Sequence, residues 1–389
     1  MYIFCIVYIM NTKFIHFGCW NNLNTKKNKK LGCLEQMSKL LHEYMLRSIS
    51  PLNFMIVAGD NYYPDKIKID ELQKKKLVYT DKLLQGFDLL PQDLSIYMLL
   101  GNHDLETNIG TEPSMFINNL ETPEIKESCT ILNTEKEIVR DRSNIELLLF
   151  KEFLLNENTL IIMLDTTMYM TDSHLYLTCY NHFVNNMIHF DSIEKVREYQ
   201  NSLIIETIQK YRNITNLILV GHHPITGLKI KKDKLKLLND VPYFIDILKI
   251  IYDILGSSIN YFYLCADLHL YQEGMIYLKL DTETNMEIHQ YIVGTGGTEL
   301  DDEISTDLIG TNTGDDLFRY QLLDSKKECG FLECTLTNNN ILNFNFISVN
   351  ILREGGKNKK TLVKKIKNKK NKKRYITIKK QKRHIRKKI

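Results

Sequence analysis

The chain has 389 residues, 43% of them hydrophobic and 25% charged, which excludes a disordered protein and suits one large α/β domain or two smaller ones. Its formal net charge of +4 is not a property of the fold: residues 353–389 hold 19 Lys and Arg against the single acid Glu354, leaving −14 in the first 352 residues. The eight cysteines, at 5, 19, 33, 129, 179, 265, 329 and 334, contain no CxxC pair and no small-domain framework, so they predict reduced thiols in an intracellular setting, cytoplasmic or nuclear.

In chain order, the apolar run "MYIFCIVYI" is too short to span a bilayer and lacks the basic flank and cleavage site of a signal peptide. It reads as an extension over 1–10, with Met10 an alternative start, and not as a secretion signal. No other segment approaches the ~20 apolar residues of a membrane helix. "TKFIHF" (12–17) predicts a strand, "LEQMSKLLHEYMLRSI" (34–49) an amphipathic helix, and "NFMIVAG" (53–59) a second strand. A helix near 69–86 and the strand "SIYMLLG" (95–101) follow. Beyond a variable region come the strand "TLIIMLD" (159–165), a helix over about 191–213, the strand "NLILVG" (216–221) and a helix over about 234–255. The strand that opens "NYFYLCADLHLYQ" (260–272) leads to "MIYLKL", "IHQYIVG", "GFLECTLT" and "ILNFNFISV", which read as consecutive antiparallel strands. That order predicts a mixed-sheet sandwich covered by helices, spanning 11–352.

Four strands end in polar clusters: "VAGDNYYP", "LLGNHDLE", "LVGHHPI" and "LCADLHLY". The carboxyl ends of strands in an open α/β sheet share one edge, where ligands bind. Each cluster alone is ordinary turn chemistry; together, each after an apolar strand, they predict one cleft.

This set of motifs resembles the calcineurin-like metallophosphoesterases. Tyr63, three residues after Asp60, with "VGHHPI" and "VGTGG" (293–297), resembles the purple acid phosphatase branch, and the resemblance covers about 11–350. It implies a four-layer α/β/β/α sandwich of two mixed sheets flanked by helices, and hydrolysis of a phosphomonoester substrate by a metal-activated hydroxide at a dinuclear centre of Fe, Mn or Zn. It implies that Asp60 bridges two metals, that Tyr63 and His269 bind the first, and that Asn102 and His222 bind the second. His103 would be the catalytic histidine, Asp104 its orienting neighbour, and His223 and Asn102 substrate contacts. Cations about 3.5–4 Å apart need a bridging carboxylate, and borderline metals accept imidazole and carboxylate together. A protonated His103 would donate to the leaving alcohol.

Two positions depart from the pattern. Cys19, in "FGCWNN", stands where the family has a metal-binding aspartate: it is either a thiolate ligand or a small buried residue where a ligand has been lost. Trp20, the only tryptophan, falls where the branch also has one. Asp267 replaces the first histidine of the family's GHxH, with His269 retaining the second. An extended segment would point both toward one metal centre, so Asp267 reads as a variant ligand. Among the rest, His16 is expected in the core or behind the site, Asp165 in a structural turn, and "GTGGTEL" (294–300) in a tight turn, since no P-loop lysine follows it.

The basic tail, 353–389, is expected to be disordered and to bind nucleic acid nonspecifically or serve localisation. Two alternatives to a phosphomonoesterase remain: a phosphodiesterase or nuclease aided by that tail, and a non-catalytic binding protein on the same scaffold.

Overall fold

The computed structural model describes residues 11–21, 33–48, 50–63, 86–106, 129–184, 188–280, 284–314 and 317–349. The expected 1–10 extension, all but the end of the helix near 69–86, and the basic tail lie outside them. From the N-terminus, β1 (Thr12–Phe17), α1 (Leu34–Arg47), β2 (Phe54–Ala58) and β3 (Ser95–Leu99) follow the expected order. Every residue of β2 is buried, as befits a parallel strand covered on both faces. After α2 (Asn102–Leu105) and α3 (Thr130–Arg140), β4 (Ile145–Leu148) completes the parallel run β1–β2–β3–β4. The chain then crosses to a second sheet through β5 (Phe150–Asn156) and β6 (Thr159–Leu164), which pair antiparallel.

Next come α4 (Leu177–Val184), α5 (Ile193–Lys210), β7 (Asn216–Val220), the hairpin strands β8 (Leu228–Lys231) and β9 (Lys234–Leu237), and α6 (Phe244–Leu255). The remaining strands are β10 (Asn260–Cys265), β11 (Tyr271–Lys279), β12 (Asn285–Val293), β13 (Asn312–Gly314), β14 (Phe318–Lys326), β15 (Gly330–Leu336) and β16 (Leu342–Ser348). One sheet has the order β16-β15-β1-β2-β3-β4 and the other β13-β14-β11-β12-β10-β7-β6-β5. Both are mixed: in the first the parallel run reaches the edge at β4 and only the β15 side is antiparallel, and in the second a parallel centre, β12-β10-β7-β6, has antiparallel strands on both sides.

Aromatic side chains join the sheets face to face. Phe153 of β5 stands edge-on to Phe54 of β2 at 5.4 Å, Tyr291 of β12 stacks on Phe344 of β16 at 4.6 Å, and Tyr271 stacks on Phe346 at 4.1 Å. Helices cover the outer faces. On the second sheet α6 buries Phe244, Ile247, Leu248, Ile251 and Leu255, a stripe at helical spacing, beside Ile204 and Ile208 of α5. Each such side chain contributes about 1.5–3 kcal/mol by burial. On the first sheet α1 buries Leu34, Met37, Leu40 and Leu41, and its Tyr44 meets Phe331 of β15 edge-on at 5.1 Å. This is the expected four-layer α/β/β/α arrangement.

Three expectations are corrected. The helix foreseen from 234 begins only at Phe244, because Lys234–Leu237 alternates charged and apolar residues with the period of a strand and Pro242 follows before the helix can start. The last strands are not one antiparallel run: β15 pairs with β1 in the first sheet, whereas β11, β12 and β14 stay in the second. The reduced-thiol expectation is overturned for four cysteines, since Cys33 is bonded to Cys329 and Cys129 to Cys179. Separations of 296 and 50 residues hide these pairs from any spacing rule; the fold brings them together. Cys19, Cys265 and Cys334 are free and buried.

Candidate metal centre

The carboxyl edges of the two sheets meet. His16 Nε2 of β1 lies 3.1 Å from the Cys265 carbonyl of β10, and the Gly18 amide donates to the Val293 carbonyl of β12 at 3.0 Å. Burial lowers the His16 pKa to about 4 despite its bond to the Cys265 carbonyl, so it sits in the seam as a neutral ring. The residues just past β1, β2 and β10 share one backbone bend: Cys19 (φ +53°), Asp60 (+53°) and Asp267 (+56°) are all left-handed. That conformation costs an L residue on the order of 1 kcal/mol or more and clusters where side chains must be aimed. Small residues precede all three. A Cβ on Gly18 would stand 2.5 Å from the Ala266 Cβ and 2.8 Å from the Ala58 carbonyl oxygen.

Because Asp267 is left-handed and not extended, it and His269 diverge. The donor atoms of Cys19, Asp60 and His269 lie within 4.8 Å of one another, as do those of His222, His223 and Asp267. Asp60 stands between the two groups. Its Oδ2 accepts from the Tyr63 hydroxyl at 2.8 Å and lies 4.0 Å from Cys19 Sγ. Its Oδ1 lies 3.2 Å from His222 Nε2 and accepts from the His103 amide at 3.2 Å. The Tyr63 hydroxyl is also 3.1 Å from His269 Nε2, so Tyr63 belongs with the first group.

His222 Nδ1 donates to the Ala58 carbonyl at 2.7 Å, which turns Nε2 toward Asp60 and toward Asp267 Oδ1 at 3.9 Å. That buried Nε2 makes no well-aligned hydrogen bond, its 3.2 Å approach to Asp60 Oδ1 being an ion-pair contact. Burial alone would lower the His222 pKa, yet Asp60 and Asp267 raise it to about 9: the position draws positive charge. Burial would raise the Asp60 carboxyl, but His222 and His103 hold it well below the usual carboxylate range. An imidazole nitrogen without an aligned hydrogen bond, beside two carboxylates, fits a cation, and so does the mixed sulfur, oxygen and nitrogen donor set around Cys19. The Cys19 thiol is pushed well up by burial, then by Asp60 and Asp267, so a cation there would displace its proton. The Tyr63 phenol is likewise pushed well up, by burial, Asp60 and Cys19.

Thr166, just beyond β6, orders the second group. Its hydroxyl accepts from the amides of His222 and His223 at 3.0 and 2.9 Å, which leaves its proton for His223 Nδ1 at 3.1 Å. His223 Nε2–H then donates to Asn102 Oδ1 at 3.2 Å. Both ring nitrogens are therefore engaged, and burial with the nearby His222 lowers the His223 pKa well below its ordinary value. Asn102 is thus brought to the second group through His223, with its carbonyl oxygen as the shared acceptor.

His103 is the half-exposed member. Its Nδ1 lies 3.0 Å from Glu106 Oε1, and its ring packs 4.9 Å from that of Tyr63. Burial would lower its pKa, but Asp60 and Glu106 outweigh that and raise it to about 9. Asp104 does not hold this ring. Its carboxylate accepts from the Gly101 amide at 2.7 Å and from the Asn61 amide and Nδ2 at 2.8 and 3.1 Å. Adjacent residues on a helical turn face different ways whereas residues three apart share a face, which gives the orienting place to Glu106. Sequence spacing would have found Glu106; nothing local signals Thr166. Asp301, also missed, accepts from the His269 amide at 3.0 Å.

The remaining expectations keep structural roles. Asp165 Oδ1 caps the Thr167 amide at 2.8 Å. The 294–298 loop packs against the end of β1, and a Cβ on Gly297 would stand 1.9 Å from the Trp20 carbonyl oxygen. Close backbone approach accounts for that glycine without a phosphate.

The sequence model of one family, described as calcineurin-like phosphoesterase, matches residues 12–251. The chain belongs to the calcineurin-like phosphoesterases. Members of this metallophosphoesterase family are in general metal-dependent hydrolases of phosphoesters. No curated protein matches the sequence. Among solved structures, this calcineurin-like chain is similar to "GAP50 the anchor in the inner membrane complex of Plasmodium", with 14% identity, a TM-score of 0.46, and coverage of 87% of this chain and 85% of that one. It is also similar to PhoD, with 10% identity, a TM-score of 0.48, and coverage of 84% of this chain and 64% of that one.

Proposed function

We propose that this calcineurin-like phosphoesterase hydrolyses phosphomonoesters with two metal ions. One would be held by Cys19, Tyr63, His269 and Asp60 Oδ2, the other by His222, Asp267, Asn102 and Asp60 Oδ1. The observation that carries this reading is the split of the Asp60 carboxylate, with one oxygen at each donor group. Bound there, such a pair would lower the pKa of a water and neutralise the charge of the phosphate. The chain's own groups do the rest. The His103 imidazolium, half-exposed and backed by Glu106, is placed to donate a proton to the leaving alcohol. His223, a neutral ring fixed by Thr166, presents Asn102. Tyr63 beside Cys19 supports the purple acid phosphatase-like branch, in which a phenolate on ferric iron would give visible charge-transfer absorption.

Metal content per chain together with hydrolysis of p-nitrophenyl phosphate in Mn, Zn or Fe tests the proposal. Two ions and turnover are expected. A protein holding at most one ion and inert with all three metals would return the chain to a non-catalytic scaffold.

Two consequences follow for variants. A Cβ at Gly101 would stand 2.3 Å from Asp60 Oδ1 and 2.9 Å from His222 Nε2. It would also stand 2.5 Å from the Asp60 backbone nitrogen, so the main chain at Asp60 must shift. Gly101→Ala is expected to lose one ion while keeping its overall secondary structure, with turnover down roughly 100-fold, a loss of about 3 kcal/mol of transition-state stabilisation. Metal analysis and circular dichroism on one sample read both. Glu106→Gln removes a charge that raises the His103 pKa. Its protonated form would then be lost at lower pH, so the alkaline limb of the pH–rate profile should move down from near 9, with kcat reduced about tenfold.

A further inference from the structure

The hairpin β8–β9 follows the His222–His223 segment almost at once, and its register sorts its side chains by chemistry. Leu228 faces Leu237 and Ile230 faces Leu235, whereas Lys229 faces Lys236 and Lys231 faces Lys234. Cross-strand partners lie on the same face, so one face of the ribbon is wholly aliphatic and the other wholly lysine. Leu228 is buried, and Ile230 and Leu237 pack on the core of the second sheet, which anchors the aliphatic face. Lys232 and Asp233 form the two-residue turn, both with positive φ (+54° and +58°), as a tight hairpin of this length requires.

The lysine face lies beside the candidate metal centre. Lys229 Nζ is 3.1 Å from Asp301 Oδ2, the oxygen that accepts from the His269 amide at 3.0 Å. Lys231, Lys232, Lys234 and Lys236 are exposed, and among the described residues none has a carboxylate within ion-pair distance. Like charges placed directly opposite across a ribbon are destabilising. Two such pairs side by side, on a body whose first 352 residues carry −14, mark a place where negative charge is expected from outside.

We propose that this ribbon binds the non-reacting phosphates of a compact polyphosphorylated ester whose reacting phosphate lies at the metal centre. Lysine heads are mobile point charges, suited to phosphate groups whose spacing varies. No aromatic side chain interrupts the lysine face to stack a base, and the acidic body would repel a long polyanion running beyond the ribbon. Both features favour a compact ligand over a nucleic-acid strand. The inference rests on the hydrolase reading for the place of the reacting phosphate, but binding to the ribbon can be measured without turnover.

The test compares wild type with Lys231→Gln/Lys234→Gln/Lys236→Gln, in a metal-buffered solution with p-nitrophenyl phosphate as substrate and inorganic tripolyphosphate as inhibitor. Removing three phosphate-facing charges should weaken inhibition by tripolyphosphate at least about tenfold and flatten its salt dependence. kcat/KM for the monophosphate should change less than about twofold, since the substituted residues are exposed and lie outside the proposed ion and proton-donor groups. Equal inhibition of both proteins would overturn the ribbon while leaving the hydrolase reading intact. Should wild type hydrolyse nothing, equilibrium dialysis with tripolyphosphate still decides: loss of binding in the variant supports the ribbon, and equal binding sinks it. An oligonucleotide that binds more tightly than tripolyphosphate and loses more affinity in the variant would replace the compact ligand by a strand and overturn the proposal as stated.

Discussion

Asp60→Asn is expected to abolish hydrolysis, lowering kcat/KM at least about 10³-fold, or about 4 kcal/mol of transition-state stabilisation. Three properties of Asp60 set that size. It is buried, it offers one oxygen to each donor group, and its carboxyl is held ionised by His222 and His103. Asn keeps the shape and tolerates the left-handed backbone at φ +53°, so the loss would report charge and bridging, not unfolding. The measurement is metal per chain beside steady-state kinetics: wild type should hold two ions and the variant one or none. A variant with both ions and turnover within tenfold of wild type would remove the bridging role, and the two-ion proposal with it.

The second large effect concerns stability. Cys33→Ser/Cys329→Ser is expected to cost about 2–5 kcal/mol, at the upper end because the bridge closes a separation of 296 residues. The bond ties the start of α1 to the connection between β14 and β15. Cys33 Sγ also lies 3.9 and 3.7 Å from the carbonyl oxygens of Thr295 and Thr298, in the glycine loop against β1. Loosening it should therefore lower Tm by several degrees in a chain of this size, and thermal scans with and without reductant read the effect. An unchanged Tm in reductant, with free thiols confirmed by alkylation, would show that the bridge contributes nothing to the folded state.

Much of the candidate site was legible in the sequence because it is carried by local grammar. An apolar strand followed by a small residue and a polar one fixed where Cys19, Asp60, His222 and Asp267 stand, and the parallel order fixed that these ends share an edge. What failed was non-local or conformational. The i, i+2 argument for Asp267 and His269 assumes extended backbone, whereas Asp267 is left-handed; the two residues nonetheless stand in the separate groups, second and first, in which the family pattern puts them. Adjacency is weak evidence for Asp104 as the residue that orients His103, and a single helical turn gives that place to Glu106. Of the hairpin, β9 falls inside the expected helix and β8 before it, because the alternation of aliphatic residues with lysine shows only when both strands are read together. β4 and β5 went unseen: β5, at an edge of its sheet, has no fully buried residue to mark it as apolar core. The place of β15 beside β1 is a pairing across more than 300 residues, beyond the reach of any local pattern.

The two bridges also bear on how the polypeptide can be prepared. Oxidation must select Cys33–Cys329 and Cys129–Cys179 from eight cysteines, among them Cys19, Cys265 and Cys334, which are free and buried in the folded chain. An early mispairing that captured Cys19 would trap the very sulfur that sits 4.0 Å from Asp60. Material oxidised before it collapses would lack that thiol at the donor group, so recovery through thiol shuffling, and not yield alone, is the measure of a good preparation.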